Sequence, residues 1–220
     1  MSLVNRSPYL PDEFAEVFAA GKRRRYPNPM MEKILGPVRR MMGIPPSPMR
    51  AAAERAVEQI VAAAREPLFY TDCQVPDTPE GRFDLVTLHS FALLHRARPI
   101  TPHGEAYCQA IFDALFSNID ANLREMGVGD TRVGKEVRHY AEKFYGRVGA
   151  YREALSAPSP LPILAEAMGR NVLGREEPAP TFARYLQSLL SALDARPDDE
   201  ILHGRSLFPD TARRLKESAV

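Results

Sequence analysis

Apolar residues recur every three or four positions along most of this chain, in blocks separated by prolines. From Cys108, the positions Phe112, Leu115, Ile119, Leu123 and Met126 fall on one side of a helix, with Gln109, Asp113, Ser117, Asp120 and Arg124 opposite. From Val137, the positions Ala141, Phe144, Val148, Tyr151 and Leu155 make a second apolar face. Gly127 predicts the stop between the two, because glycine accepts the left-handed conformation that ends helices. Asp130 predicts the cap of the second helix. Two amphipathic helices joined by so short a turn are expected to pack as a long central antiparallel pair.

The 20 prolines set the remaining boundaries, and none falls between His103 and Ala157. Proline breaks helix interiors, so that stretch is expected to hold the longest helices. Further helices are predicted over 12–24, with Asp12 as cap, and over 28–42, interrupted at Gly36-Pro37. An Ala-rich helix is predicted over 48–65, ended by Pro67. Another, over 78–98, opens on Thr78-Pro79, a cap followed by a first-turn proline. The pattern continues with helices over 162–172, 180–195 and 210–217. No segment alternates with period two long enough to predict a strand. The expected fold is all-α, a compact domain of about six to eight helices over 48–197, preceded by a basic, Met- and Pro-rich extension over 1–47 and followed by a tail over 198–220.

Charge changes the picture locally, not globally. Lys and Arg number 29 against 28 Asp and Glu, so nothing in the balance demands nucleic acid or an anionic membrane. On the second central helix, however, Lys135, His139, Lys143 and Arg147 stand four apart and make a basic ridge, extended by Arg138 and tempered by Glu136 and Glu142. A charged row is commonly a solvated face; its functional reading is a docking strip for an acidic partner or for RNA phosphates. Residues 1–50 carry nine Lys and Arg against four Asp and Glu. There Met30, Met31, Ile34, Leu35, Met41 and Met42 recur at helical spacing among Lys33, Arg39 and Arg40. Such a face either packs on the domain or meets a membrane or client, which keeps open the alternative of a peripheral membrane-surface adaptor. No apolar run approaches the roughly 20 residues that span a bilayer. With no signal-peptide core, a cytoplasmic protein is expected, peripheral at the inner face of the membrane where it meets one.

Candidate chemistry is thin. Gly129 to Lys135 reads G-x-x-x-x-G-K, but the eighth position is Glu136, not Ser or Thr, and a helix precedes it where a phosphate loop needs a strand. His89, His95, His103, His139 and His203 include no pair at the i,i+4 spacing of a helical zinc site. Cys73 and Cys108 form no CxxC and are expected as buried, reduced thiols. Thr87, His89 and Ser90 are expected to flank a core helix built on Phe83, Val86, Leu88, Phe91 and Leu94. No catalytic residue, metal or cofactor is expected.

Longer motifs carry a resemblance. Phe69-Tyr70-Thr71-Asp72, Val75-Pro76-Asp77-Thr78 and Gly81-Arg82-Phe83-Asp84 form the first group. Leu123 to Asp130, Val133-Gly134-Lys135, Ala141-Glu142, Phe144-Tyr145-Gly146-Arg147 and Ala150-Tyr151 form the second. Together they resemble the ubiquinol–cytochrome c chaperone family, over roughly residues 55–172. The resemblance implies a helical, non-catalytic assembly factor without cofactors. Its client would be cytochrome b or another subunit of the respiratory bc1 complex, met near the ribosome with a small helical protein alongside. With no evident presequence, a bacterial-type member is expected. Arg82, Asp84, Arg124 and Glu125 stand in these motifs and join Lys135, His139, Lys143 and Arg147 as expected partner contacts.

Overall fold

The computed structural model describes residues 47–219. The helices expected over 12–24 and 28–42 lie outside the described residues, as do Met30, Met31, Ile34, Leu35, Met41 and Met42. The described chain is all-helical and contains no strand.

Pro48–Ala64 (α1) buries Ala52, Ala53, Ala56, Val57 and Ile60 along one face. Alanine loses no side-chain freedom in a helix, so this segment is intrinsically helical before it packs. A single turn, Leu68–Thr71 (α2), then buries Phe69. Pro79–Ala97 (α3) begins as the sequence predicts: Thr78 is extended and its hydroxyl accepts the Gly81 N–H at 3.1 Å. Gly81 is required there, because a Cβ would lie 2.0 Å from the Pro76 carbonyl oxygen. α3 is buried on nearly every side and forms the axis of the core. Thr87, His89 and Ser90 are wholly buried with Phe83, Leu88 and Phe91. Thr87 donates to the Phe83 carbonyl and His89 Nδ1 to that of Leu85, which accommodates two of these groups within the helix, while the Ser90 hydroxyl has no hydrogen-bond partner among the described residues.

Gly104–Glu125 (α4) and Asp130–Ser156 (α5) are the longest helices of the described chain. They are joined across Gly127, whose φ of 81° is the left-handed stop expected of it. Phe112 and Phe116 of α4 meet Phe144 and Tyr145 of α5, with ring centroids 5.4 to 5.9 Å apart. The cap differs from expectation. Gly129 is the N-cap, and Asp130 is the first helical residue, its carboxylate paired with Arg124. An acid in the first turn still complements the helix dipole.

The helix predicted over 162–172 starts earlier and changes pitch. Pro160–Met168 (α6) passes into a π-helical turn, Gly169–Leu173, which ends at the left-handed Gly174. The returning chain presses on it: a Cβ at Gly169 would sit 2.1 Å from the Glu177 carbonyl oxygen, and the Ala179 N–H donates to the Ala165 carbonyl at 2.8 Å. Pro180–Asp194 (α7) buries Phe182, Tyr185, Leu186, Leu189 and Leu193 against α3 and α6.

Residues 198–219 do not trail as a tail. Asp198–Leu202 (α8), Thr211–Ala219 (α9) and the loop between them bury Ile201, Leu215 and Leu207, respectively, in the same core. Gln59 of α1 clasps the loop between them, donating to the Gly204 carbonyl and accepting the Leu207 N–H, both at 2.7 Å. Arg184 of α7 donates to the Ser218 carbonyl at 2.7 Å. The composition of this stretch is polar, but its few apolar residues face inward and its backbone groups find partners on α1 and α7.

Candidate partner-binding site

α5 carries most of the residues singled out from the sequence. Val133, Phe144, Val148 and Tyr151 turn it toward the core. In a helix of 3.6 residues per turn, each step of four residues rotates a further ~40°. Lys135, His139, Lys143 and Arg147 therefore spiral and do not form one strip. Lys135 and His139 are exposed, Lys143 is half-buried, and Arg147 is turned inward against α3.

Arg147 has a structural role instead of a surface one. Its Nη2 lies 2.7 Å from Oδ1 of Asp84, with side-chain exposures of 15% and 10%. Asp84, expected as a partner contact, is thus buried at the α3–α5 boundary. Burial pushes its carboxyl up to about 6, against the pull of the Arg147 and Lys143 cations. Tyr140 packs beside this pair, its ring centroid 4.8 Å from that of Phe83.

The remaining expected contacts are on the surface. Arg82 is exposed and pairs with Asp77 at 2.7 Å, which holds the Asp77 carboxyl below the usual range. Arg124 is shared between Asp120, at 2.8 Å, and Asp130, and so fastens the end of α4 to the start of α5. Glu125 is exposed beside it, next to Met126, whose side chain is 67% exposed. Lys135, Arg138 and His139 line a shallow open depression with Thr131, Gly134 and Glu142. The structure thus brings Arg124 and Glu125 to the α4–α5 turn, leaves Lys135 and His139 outward on α5, and separates both from Asp84 and Arg147.

The near-miss phosphate loop is the turn and first coil of α5, with α4 ahead of it. The cysteines are free and half-buried. Burial pushes the Cys108 thiol up to about 12 and also raises Cys73, so neither is poised as a thiolate nucleophile. His89 is ringed by Phe69, Tyr185 and Phe208. Its Nδ1–H donates to the Leu85 carbonyl, which leaves Nε2 to accept the Tyr185 hydroxyl at 2.8 Å. Desolvation lowers its basicity to about 4, so it stays neutral. The described residues contain no group of three or more His, Cys, Asp or Glu placed to hold a metal ion, and no helix among them is long and apolar enough to cross a membrane.

The sequence profile described as "Ubiquinol-cytochrome C chaperone" matches residues 71–208, most of this helical core. The chain belongs to that family. Its members are assembly factors of ubiquinol–cytochrome c reductase, the bc1 complex. The match extends beyond Val172, through α7 and α8, which agrees with their packing on α3. The chain is 24% identical over 138 residues to ubiquinol-cytochrome-c reductase complex assembly factor 1 of Xenopus laevis, a match covering 61% of this chain and 68% of the frog protein. The Homo sapiens and Mus musculus proteins of the same name match at 24% over 138 residues, and there the match covers 46% of their length. The crystal structure of the Cbp3 homolog from Brucella abortus superposes with a TM-score of 0.65 at 37% identity, covering 82% of this chain and 98% of that one. The all-helical fold is therefore common to this family member and a solved relative.

Proposed function

We propose that this chain is an assembly chaperone that binds newly made cytochrome b and acts by holding it, not by chemistry of its own. The observation that carries this reading is the family match across residues 71–208, which covers α3 to α8 without a break. A membrane subunit rich in apolar helices exposes surface that aggregates before it reaches lipid, so a binding partner at that stage protects it. The holding role is supported by how the reactive side chains are used. His89 is neutral and bonded at both nitrogens, and the half-buried Cys108 thiol is held protonated. In this reading cytochrome b is met as it leaves the ribosome, at the inner face of the membrane, with a small helical protein alongside.

The test is capture of the client itself. A tagged full chain, purified from its native host after a short labelling pulse, is expected to bring down labelled cytochrome b, and the signal is expected to fall during a chase as the bc1 complex forms. Recovery of a different bc1 subunit, with cytochrome b absent, would assign the client elsewhere.

A further inference from the structure

We propose that the outward face of the first half of α5, built on Lys135, Arg138 and His139, docks an acidic helical segment of a partner protein. This face stands clear of the core. Between Phe116 and Phe144, only Leu123 and Val133 are fully buried, and the inward side is completed by the partly buried Ile119, Val137, Tyr140 and Ala141, which leaves Lys135, Arg138 and His139 on the outward side. On the same hairpin, Arg124, Arg132 and Arg147 are each held by a carboxylate. Lys135, Arg138 and His139 form no ion pair among the described residues, although they line one depression. Lys135 and Arg138 are exposed cations one turn apart with no carboxylate among the described residues paired to either, so they repel one another, and an acidic partner relieves that repulsion. Gly134 leaves open space at the floor of this face, since a Cβ there would meet nothing within 4 Å. A partner backbone can therefore approach α5 closely at that point.

Charge complementarity selects the kind of partner. Glu142 lies in the same depression, which disfavours a run of phosphates and fits a helix whose carboxylates are followed by a cation. No Phe, Tyr or Trp lines the depression, and Tyr140 is engaged with Phe83, so no phenyl, phenol or indole ring is offered on which bases could stack. The inference gives a surface to the assembly-factor reading. It is decided with purified components, whereas that reading is decided by client capture, so the two can fail separately.

The probe is an alanine-based helical peptide carrying glutamate at every fourth position, with its glutamine counterpart and a single-stranded RNA of matched charge as the other arms. Binding to the full chain is read by fluorescence anisotropy. The glutamate peptide is expected to bind in a salt-sensitive way and the glutamine peptide is not. Lys135→Glu with Arg138→Glu is expected to weaken binding by about tenfold or more. Arg170→Glu, a charge reversal at the exposed residue of the π turn, is expected to leave it unchanged. Circular dichroism establishes that the double variant is folded, and Lys135→Gln with Arg138→Gln gives a second, milder pair. Absent binding of the glutamate peptide, or equal binding by both double variants and wild type, overturns the proposal. RNA binding that the double variants abolish, with no peptide binding, overturns it in favour of nucleic acid.

Discussion

Asp84 is a carboxylate surrounded by core residues, and Arg147 is its ion-pair partner. Removing one member of a buried pair leaves the other uncompensated, so Arg147→Ala is expected to cost about 3–5 kcal/mol. The pH dependence follows from the raised carboxyl. With a folded-state value near 6 against an ordinary 3.8, the folded protein takes up this proton before the unfolded chain does. Asp84 therefore stabilises the fold fully below about 4, and that contribution is lost as pH rises through about 6. Asp84→Asn, which cannot ionise, is expected to gain on wild type in urea unfolding as pH is raised from 4 to 7, by roughly 3 kcal/mol at most. A stability difference that stays flat across that range would show that Arg147 already compensates the charge. Both members are expected from the sequence as partner contacts, although the spacing holds a clue to one of them. Asp84 lies one turn before Leu88 and two before Phe91 on α3, positions that face the core, and a buried acid requires a cation. Which cation was not legible, because Arg147 looked like one more member of a surface row. Only the drift of a four-residue step around the helix separates it from Lys135.

At the scale of the element, α3, α4, α5 and α7 were readable because each carries its own boundary signals: Thr78-Pro79, Gly127 and the prolines at 158 and 180. The π turn was not, since it depends on the carbonyl of Glu177 arriving from outside the helix. The hairpin formed by the end of α4 and the start of α5 also has a consequence for dynamics. With Leu123 and Val133 alone fully buried between Phe116 and Phe144, and Ile119, Val137, Tyr140 and Ala141 only partly so, fewer apolar contacts resist its local opening than in α3. Amide hydrogen exchange is expected to be faster over 117–143 than over 83–93 of α3, where nearly every residue is buried. Equal protection of the two segments would mean that the hairpin is braced by contacts beyond its own pair.

At the scale of the whole molecule, the core joins α1 to α9, and the family match spans most of it. The resemblance visible in the sequence ended near Val172, because its motifs cluster on α2 to α5. The rest of the family region is carried by packing instead: α7 lies against α3, and the C-terminal loop is clasped by Gln59. The expected partner contacts likewise resolve by burial into two kinds. Asp84 and Arg147 bind the chain to itself, and Lys135 and His139 are exposed on α5. Membership in a family of bc1 assembly factors makes a claim about the cell that a direct measurement can decide. The gene is deleted in the native host, and assembled bc1 complex is quantified beside an unrelated membrane complex. A several-fold loss of bc1 complex, with the other complex unchanged and recovery on return of the full chain, is the predicted result. Unchanged bc1 complex in the deletion strain would contradict it.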